Sequence, residues 1–236
     1  MFEPIILVPA FDHAPQFSRF APSLAATGTR VVVVDDGSAP DEAASLKKIC
    51  AENNFTLLRH EKNRGKGCAF KTGFSFAREH GFSHVLQIDA DGQHDANDIS
   101  KFLEIAKSTP HAIVAGFPIY DDSVPASRKF GRKITNFWCA LETRSLKIRD
   151  AMCGFRVYPI ARSAACTNAT RAERMGFDVE IIVRAIWAGI PVVNVPTRVR
   201  YPENGRSHFH AFRDNVRLSL THARLFLRSF FPKQKS

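Results

Sequence analysis

Two carboxylates two positions apart close an apolar run in Leu86-Gln87-Ile88-Asp89-Ala90-Asp91-Gly92-Gln93-His94. Alternate side chains of an extended backbone point to one side, so Asp89 and Asp91 face the same space. Two anions cannot be buried together without a cation. Carboxylate oxygens suit hard divalent ions, and Mg2+ or Mn2+ is usual where substrate phosphates complete the shell. The same residues also read as a solvated acidic turn in which Gly92 supplies an unusual φ.

Two further segments carry chemistry. Val31-Val32-Val33-Val34-Asp35-Asp36-Gly37-Ser38 places carboxylates at the end of a β-branched run. There they can accept a hydrogen bond from a base N–H or a ribose hydroxyl, or serve as a helix cap and turn. Asn63-Arg64-Gly65-Lys66-Gly67 precedes a helical stretch. Its glycines would let the backbone approach a ligand and Lys66 would pair with phosphate, or the segment is an ordinary turn with a solvated basic pair. Neither the Walker A nor the G-x-G-x-x-G spacing is present.

Positioning these groups requires an alternation of strands and helices. Strands are expected over Phe2–Pro9, Arg30–Val34, Phe55–Arg59, His84–Ile88 and Ala112–Ala115. Helices are expected over Pro15–Ala26, Asp41–Asn53, Gly65–Gly81 and Asn97–Lys107. Such alternation predicts βαβ units and a mostly parallel sheet flanked by helices, an α/β fold with ligands at the carboxyl ends of the strands. Asp35 and Asp89 both sit at such ends. The second half is less regular. It carries a basic helix over Ser127–Leu146, a strand over Cys153–Tyr158, a helix over Phe177–Ala188 and an edge strand over Pro191–Tyr201.

The 236 residues suit one domain, and a hydrophobic share of 44% supplies a sizeable core. The formal charge of +10 attracts phosphorylated substrates, anionic lipid or nucleic acid without choosing among them. Cys50, Cys68, Cys139, Cys153 and Cys166 form no C-x-x-C pair, which fits a reducing, cytoplasmic compartment. The N-terminus has no signal-peptide pattern, and no run of about 18 apolar residues predicts a membrane span. A basic nucleic-acid-binding module is the alternative of another class, but no helix-turn-helix, zinc or RNA-recognition pattern accompanies the charge, so no nucleic-acid partner is expected. A nucleotidyltransferase would show a glycine-rich basic loop after its first strand, where Ala10-Phe11-Asp12-His13 stands instead.

Taken in order, Val8-Pro9-Ala10-Phe11, Val34 to Ser38, Asn63 to Gly67 and Asp89 to His94 resemble the GT-A glycosyltransferases of family 2. They are most similar to the dolichyl- or polyprenyl-phosphate mannosyltransferase branch. The likeness continues through Ser127-Arg128, Cys153-Gly154-Phe155-Arg156, Glu180 to Ala185, Val195-Pro196 and Gly205-Arg206-Ser207-His208. It implies a single GT-A domain over residues 1–208 and an inverting transfer of a sugar from a UDP- or GDP-linked donor. The implied acceptor is lipid-linked or a polyprenyl phosphate; a soluble or carrier-bound acceptor is the alternative.

The resemblance also implies residue roles. Pro9 and Phe11 would flank the base, Phe11 standing in the usual tyrosine place, and Asp35 would contact the base. Asp89 would face the ribose and the metal, with Asp91 as main metal ligand and Gln93 as a further one. Arg128 and Arg206 would hold the diphosphate. Asp178 matches the position of the catalytic base, or with Glu180 supplies structural charge at a helix start. Two departures stand out. Asp12-His13-Ala14 replaces an Asn-Glu pair, and His208 replaces a lysine.

Residues 209–236 are expected to form a basic amphipathic helix. Phe209, Phe212, Val216, Leu220, Ala223, Leu227 and Phe230 share one stripe, with Arg213, Arg217, Arg224 and Arg228 beside it. Such a helix lies in a membrane interface, giving peripheral contact on the inner face, or packs on its own core. Leu218 and Leu225 fall off the main stripe, which favours some packing.

Overall fold

The computed structural model describes residues 1–120, 124, 126–199 and 211–231, without the side chains of residues 126–128, 211 and 212. The first half alternates without interruption: β1 (Pro4–Ala10), α1 (Ala14–Ala25), β2 (Arg30–Asp35), α2 (Pro40–Glu52), β3 (Thr56–Arg59), α3 (Lys66–Glu79), β4 (His84–Gln87), α4 (Asp98–Ser108) and β5 (Ile113–Tyr120). Then follow α5 (Ala126–Thr143), β6 (Arg156–Pro159), α6 (Ile160–Ala169), α7 (Phe177–Trp187), β7 (Val192–Val199) and α8 (Ala211–Ser229).

The seven strands form one mixed sheet in the order β3-β2-β1-β4-β6-β5-β7. Strands β1 to β4 are parallel, and β7 is parallel to β5 at the far edge. Only β6 runs antiparallel to its neighbours β4 and β5. From β1 the chain winds outward through β2 and β3, then returns to place β4 on β1's other side. The crevice beyond the carboxyl ends of β1 and β4 is therefore the switch point at which open α/β sheets bind ligands.

Strands covered on both faces read as continuous apolar runs. Val31 to Val34 are all buried, and alternation sends them to opposite layers. Ile5, Leu7, Val32 and Val34 pack with Phe70 and Phe74 of α3 and with Phe177 of α7. Ile6, Val8, Val31 and Val33 pack with Phe17 and Leu24 of α1 and Phe102 of α4.

The second half departs from its expected elements. Strand β5 runs to Tyr120, beyond Ala115, because β7 pairs with it over its whole length, from Ile113↔Val192 to Tyr120↔Val199. Strand β6 starts at Arg156 and not at Cys153. The Asp150 carboxylate accepts hydrogen bonds from the amides of Met152 and Cys153 (2.9 and 2.7 Å) and turns the backbone there. Helix α6 was not expected at all. Its alanine-rich sequence lacks a strong apolar stripe, and Thr167 satisfies its hydroxyl on the Ser163 carbonyl one turn back (2.9 Å).

Helix α8 packs against α5 and α7 with its off-stripe residues. Leu225 is 1% and Leu218 9% exposed, whereas Leu220 and Leu227 of the main stripe are 64% and 63% exposed. Two polar clasps hold it. His222 Nδ1 lies 2.7 Å from Glu142 Oε1 of α5. Arg224 donates to Glu180 Oε2 of α7 (2.5 Å), a carboxylate that also accepts from Arg184 (2.8 Å) and from the Ala172 amide (2.8 Å).

Candidate active site

Beyond β4 the side chains still alternate, although the backbone turns at Ala90 and Asp91. Ile88 and Ala90 turn into the core (0% and 2% exposed), so Asp89 and Asp91 face a cleft over the switch point. The end of β1 contributes Pro9 and Phe11 to the same cleft, and Gln93, Lys66 and Asp178 complete the floor. Seven of the residues singled out in the sequence thus converge from β1, α3, α7 and the segment after β4.

Lys66, at the start of α3, is the centre of this floor. Its Nζ lies 2.7 Å from Asp89 Oδ1 and 2.8 Å from Asp178 Oδ2. Gln87, the last residue of β4, donates its side-chain amide to Asp178 Oδ1 (2.9 Å). The fully buried Arg156 of β6 donates to the Asp178 backbone carbonyl and to the Ala151 carbonyl, each at 2.7 Å. Gly154 makes the contact sterically feasible, because a Cβ there would stand 2.5 Å from Lys66 Nζ and 2.8 Å from Asp89 Oδ2.

The glycines of the Asn63–Gly67 segment serve a close approach within the chain itself, as the ordinary-turn reading allows. Gly65 has φ +100, and a Cβ on it would meet the Glu173 carbonyl oxygen at 2.3 Å. The Gly67 amide donates to that same oxygen (2.7 Å). The loop is packed against residues 172–174 of its own chain, and the first turn of α3 spends a free amide there. Asp36 fixes its other side, accepting from the amides of Arg64 (3.0 Å) and Gly65 (2.6 Å) and from His60 Nδ1 (2.7 Å).

The carboxylates of the floor are electrostatically unequal. Burial would lower the Lys66 pKa, but the charges of Asp178 and Asp89 outweigh it and hold the ammonium above the usual lysine range. Burial would raise Asp89, yet Lys66 holds it below the usual carboxylate range. Asp91 has no ion pair among the described residues, and His13 and Lys66 act on it only as lesser influences. Burial, reinforced by the charge of Asp89, pushes its carboxyl up to about 6, opposed by a hydrogen bond from the Gln93 amide (3.0 Å). Burial likewise lowers His94 to about 4, so its ring is neutral at physiological pH. An under-compensated carboxylate beside a second one and an amide side chain, open to the cleft, is an oxygen donor set that fits a divalent cation.

The remaining expected residues are placed as follows. Asp35 is buried at the end of β2, accepting from the Ser38 amide (2.9 Å) and facing Arg59 Nη1 at 3.0 Å; its neighbour Asp36 lines the cleft. Arg128 belongs to α5, but its side chain, like the whole of Arg206 and His208, lies outside the described residues. Sequence reasoning missed Arg132, one turn after Arg128, which lines the cleft and donates to both oxygens of Asp150 at 2.7 Å. It also missed Gln87 and His13, which lies close enough to Asp91 to favour its ionised form. The one available signal was the i,i+4 spacing of Arg128 and Arg132 on a common helix face.

Away from the acidic floor the cleft becomes apolar. It continues between α5 and α8, past Phe130, Ile134 and Trp138 on one side and Leu218, Phe226 and Leu227 on the other. Its volume of about 1500 Å³ exceeds the roughly 300–1,000 Å³ of a single small-molecule pocket. There is room for two ligands, one polar and cation-associated, one with an apolar part.

Comparison with known proteins agrees with this geometry. Residues 5–167 match the family model described as glycosyl transferase family 2. The chain is 29% identical to a dolichyl-phosphate beta-glucosyltransferase of Dictyostelium discoideum, over 80% of this chain and 60% of that protein, so it spans about three fifths of that relative's length. It is 26% identical to an undecaprenyl-phosphate mannosyltransferase of Micrococcus luteus, over 75% of this chain and 74% of that one. In fold it is similar to glucosyl-3-phosphoglycerate synthase from Mycobacterium tuberculosis, solved with Mn2+, UDP and glucosyl-3-phosphoglycerate. That likeness has a TM-score of 0.72 at 13% identity and covers 97% of this chain and 80% of that one. With more than half of its length matched by the family model and a sheet whose acidic strand end opens on one cleft, the chain belongs to glycosyl transferase family 2.

Proposed function

We propose that this chain transfers a sugar, with inversion, from a UDP- or GDP-linked donor to a polyprenyl-phosphate acceptor at the cytoplasmic face of a membrane. The observation that carries this reading is the cleft itself: an acidic, cation-fitting floor at the switch point, continuous with an apolar channel between α5 and α8. The names of the relatives in Dictyostelium discoideum and Micrococcus luteus support a polyprenyl-type phosphate acceptor, and the Mn2+ in the solved neighbour supports a divalent cation.

Asp91, Asp89 and Gln93 would hold Mg2+ or Mn2+, which neutralises the negative charge that the departing nucleoside diphosphate gains. Pro9 and Phe11 offer the base an apolar edge at the end of β1. Lys66 brings a permanent positive charge to the same floor, held by Asp89 and Asp178. Arg128 and Arg206 are the candidates for gripping the diphosphate. A phosphate acceptor is already ionised, so it attacks the anomeric carbon without surrendering a proton. Asp178, buried and committed to Lys66 and Gln87, then acts as the anchor of Lys66 and not as a base.

The test is transfer from radiolabelled UDP-glucose, UDP-N-acetylglucosamine and GDP-mannose, with Mn2+, to a short-chain isoprenyl phosphate or to 3-phosphoglycerate. Label in the isoprenyl product is the expected result. Label only in the water-soluble product would overturn the acceptor assignment, and no label in either would overturn the activity.

A further inference from the structure

Helices α5 and α8 leave a large apolar surface uncovered. On α5, Phe130, Ile134, Phe137 and Leu141 recur at intervals of four, three and four residues, one stripe of a helix. On α8, Val216, Leu220, Leu227 and Phe230 are spaced four, seven and three apart, again one stripe of a helix. Each of these eight side chains is 44–65% exposed. The stripes belong to one surface. Phe130 and Ile134 line the mouth of the cleft from one side and Leu227 lines it from the other, while Trp138 stacks edge-on against Phe226 across the helix pair (5.9 Å). A contiguous exposed patch of this kind marks an interaction site.

The charges on the same helices identify the partner. Glu142 and Asp214 are the acids of α5 and α8, and both are buried (0% and 5%). Every exposed charge on the two helices' described side chains is positive: Lys129 and Lys133 on α5, and Arg213, Arg217 and Arg228 on α8. By helical spacing the lysines flank one outer side of the apolar surface and the arginines the other. A second copy of the chain would bring this cationic rim against itself, which disfavours self-association. An anionic bilayer satisfies both features, taking the apolar crest into its acyl boundary and the cations at its phosphates.

We infer that α5 and α8 together form a docking surface for an anionic bilayer, with the cleft mouth held at the lipid surface so that the acceptor enters from the membrane side. The clasps His222–Glu142 and Arg224–Glu180 make α8 a fixed part of that surface and not a trailing anchor. The inference rests on the polyprenyl-phosphate reading for its purpose, but not for its evidence.

Its test uses the full chain and vesicles of phosphatidylcholine, with or without phosphatidylglycerol, in a sedimentation assay. Wild type is expected to bind the anionic vesicles and to lose binding as salt rises. The combined substitutions Phe137→Gln, Leu141→Gln, Val216→Gln and Leu220→Gln, all exposed and outside the cleft lining, are expected to weaken binding by about tenfold or more. The same variant should keep wild-type transfer to a short water-soluble isoprenyl phosphate and lose transfer to a long-chain acceptor embedded in vesicles. Vesicle binding unchanged in the variant, or absent in wild type, overturns the inference. A wild-type dimer that becomes a monomer in the variant also overturns it, in favour of a self-association face. If vesicle binding behaves as expected but no acceptor is glycosylated, the docking surface stands and the functional reading fails.

Discussion

Replacing Lys66 by methionine keeps the length of the side chain and removes the charge that joins Asp89 to Asp178. The two ion pairs are 2.7 and 2.8 Å long, and the side chains are 19% (Lys66), 29% (Asp89) and 5% (Asp178) exposed. Removing one partner of a buried pair costs ~3–5 kcal/mol, because a charge is left without compensation. Water reaching Asp89 screens part of this, so a loss of about 2–4 kcal/mol at neutral pH is expected. The loss must depend on pH, and its sign is determined. In the wild type Asp89 is held below its usual range, stays ionised from pH 5 to 8, and contributes its stability throughout that window. Without Lys66, burial raises Asp89 above its unfolded value, and the penalty grows as pH climbs through the raised value. Urea unfolding of both proteins at pH 5 and pH 8 measures this, and the variant's deficit should be larger at pH 8. A deficit below ~0.5 kcal/mol, within the range of ordinary surface changes, or one equal at the two pH values, would refute the clamp.

Two other expectations follow from the same geometry. Asp91→Asn should weaken Mn2+-dependent donor binding by about a hundredfold, roughly 2.7 kcal/mol, as measured by calorimetry. In the wild type, Mn2+ affinity should rise with pH through about 6, where the Asp91 carboxyl loses its proton, and the variant should lose that dependence. In α8, Leu225→Ala should destabilise the protein by ~2–4 kcal/mol, whereas Leu220→Ala should fall within ~0.5 kcal/mol of wild type. Equal effects in denaturant unfolding would contradict the packing of Leu218 and Leu225 and the exposure of the main stripe.

The first half of the fold was legible because parallel strands announce themselves. Four buried valines in a row and an apolar stretch ending in Asp89 admit few other structures, and alternation alone sends Asp89 and Asp91 to one side. What joins Asp89 to Asp178 through Lys66 was not legible. Asp178 stands on α7, far along the chain, and no local pattern says that its partner lies at the start of α3. The glycines beside Lys66 left two readings open for a related reason. A glycine signals that something approaches closely, but the sequence does not distinguish a phosphate from the Glu173 carbonyl. In α8 the periodicity revealed a helix with two apolar directions, and only tertiary packing decided that Leu218 and Leu225 enter the core while Val216, Leu220, Leu227 and Phe230 of the longer stripe stay outside; Phe209 and the side chain of Phe212 lie outside the described residues. Helix α6 escaped because small and hydroxyl residues carry little periodic signal.

The most direct measurement is donor binding by the purified chain, followed by thermal shift with UDP- and GDP-sugars in the presence and absence of Mn2+. A ligand that binds only the native state raises the melting temperature by mass action. A cleft whose floor is Asp89, Asp91 and Gln93 predicts a shift with at least one nucleotide sugar that appears only with the metal and vanishes in Asp91→Asn. A shift of equal size without metal, or none with any donor while the protein is folded, would contradict a metal-assisted nucleotide-sugar site in this cleft.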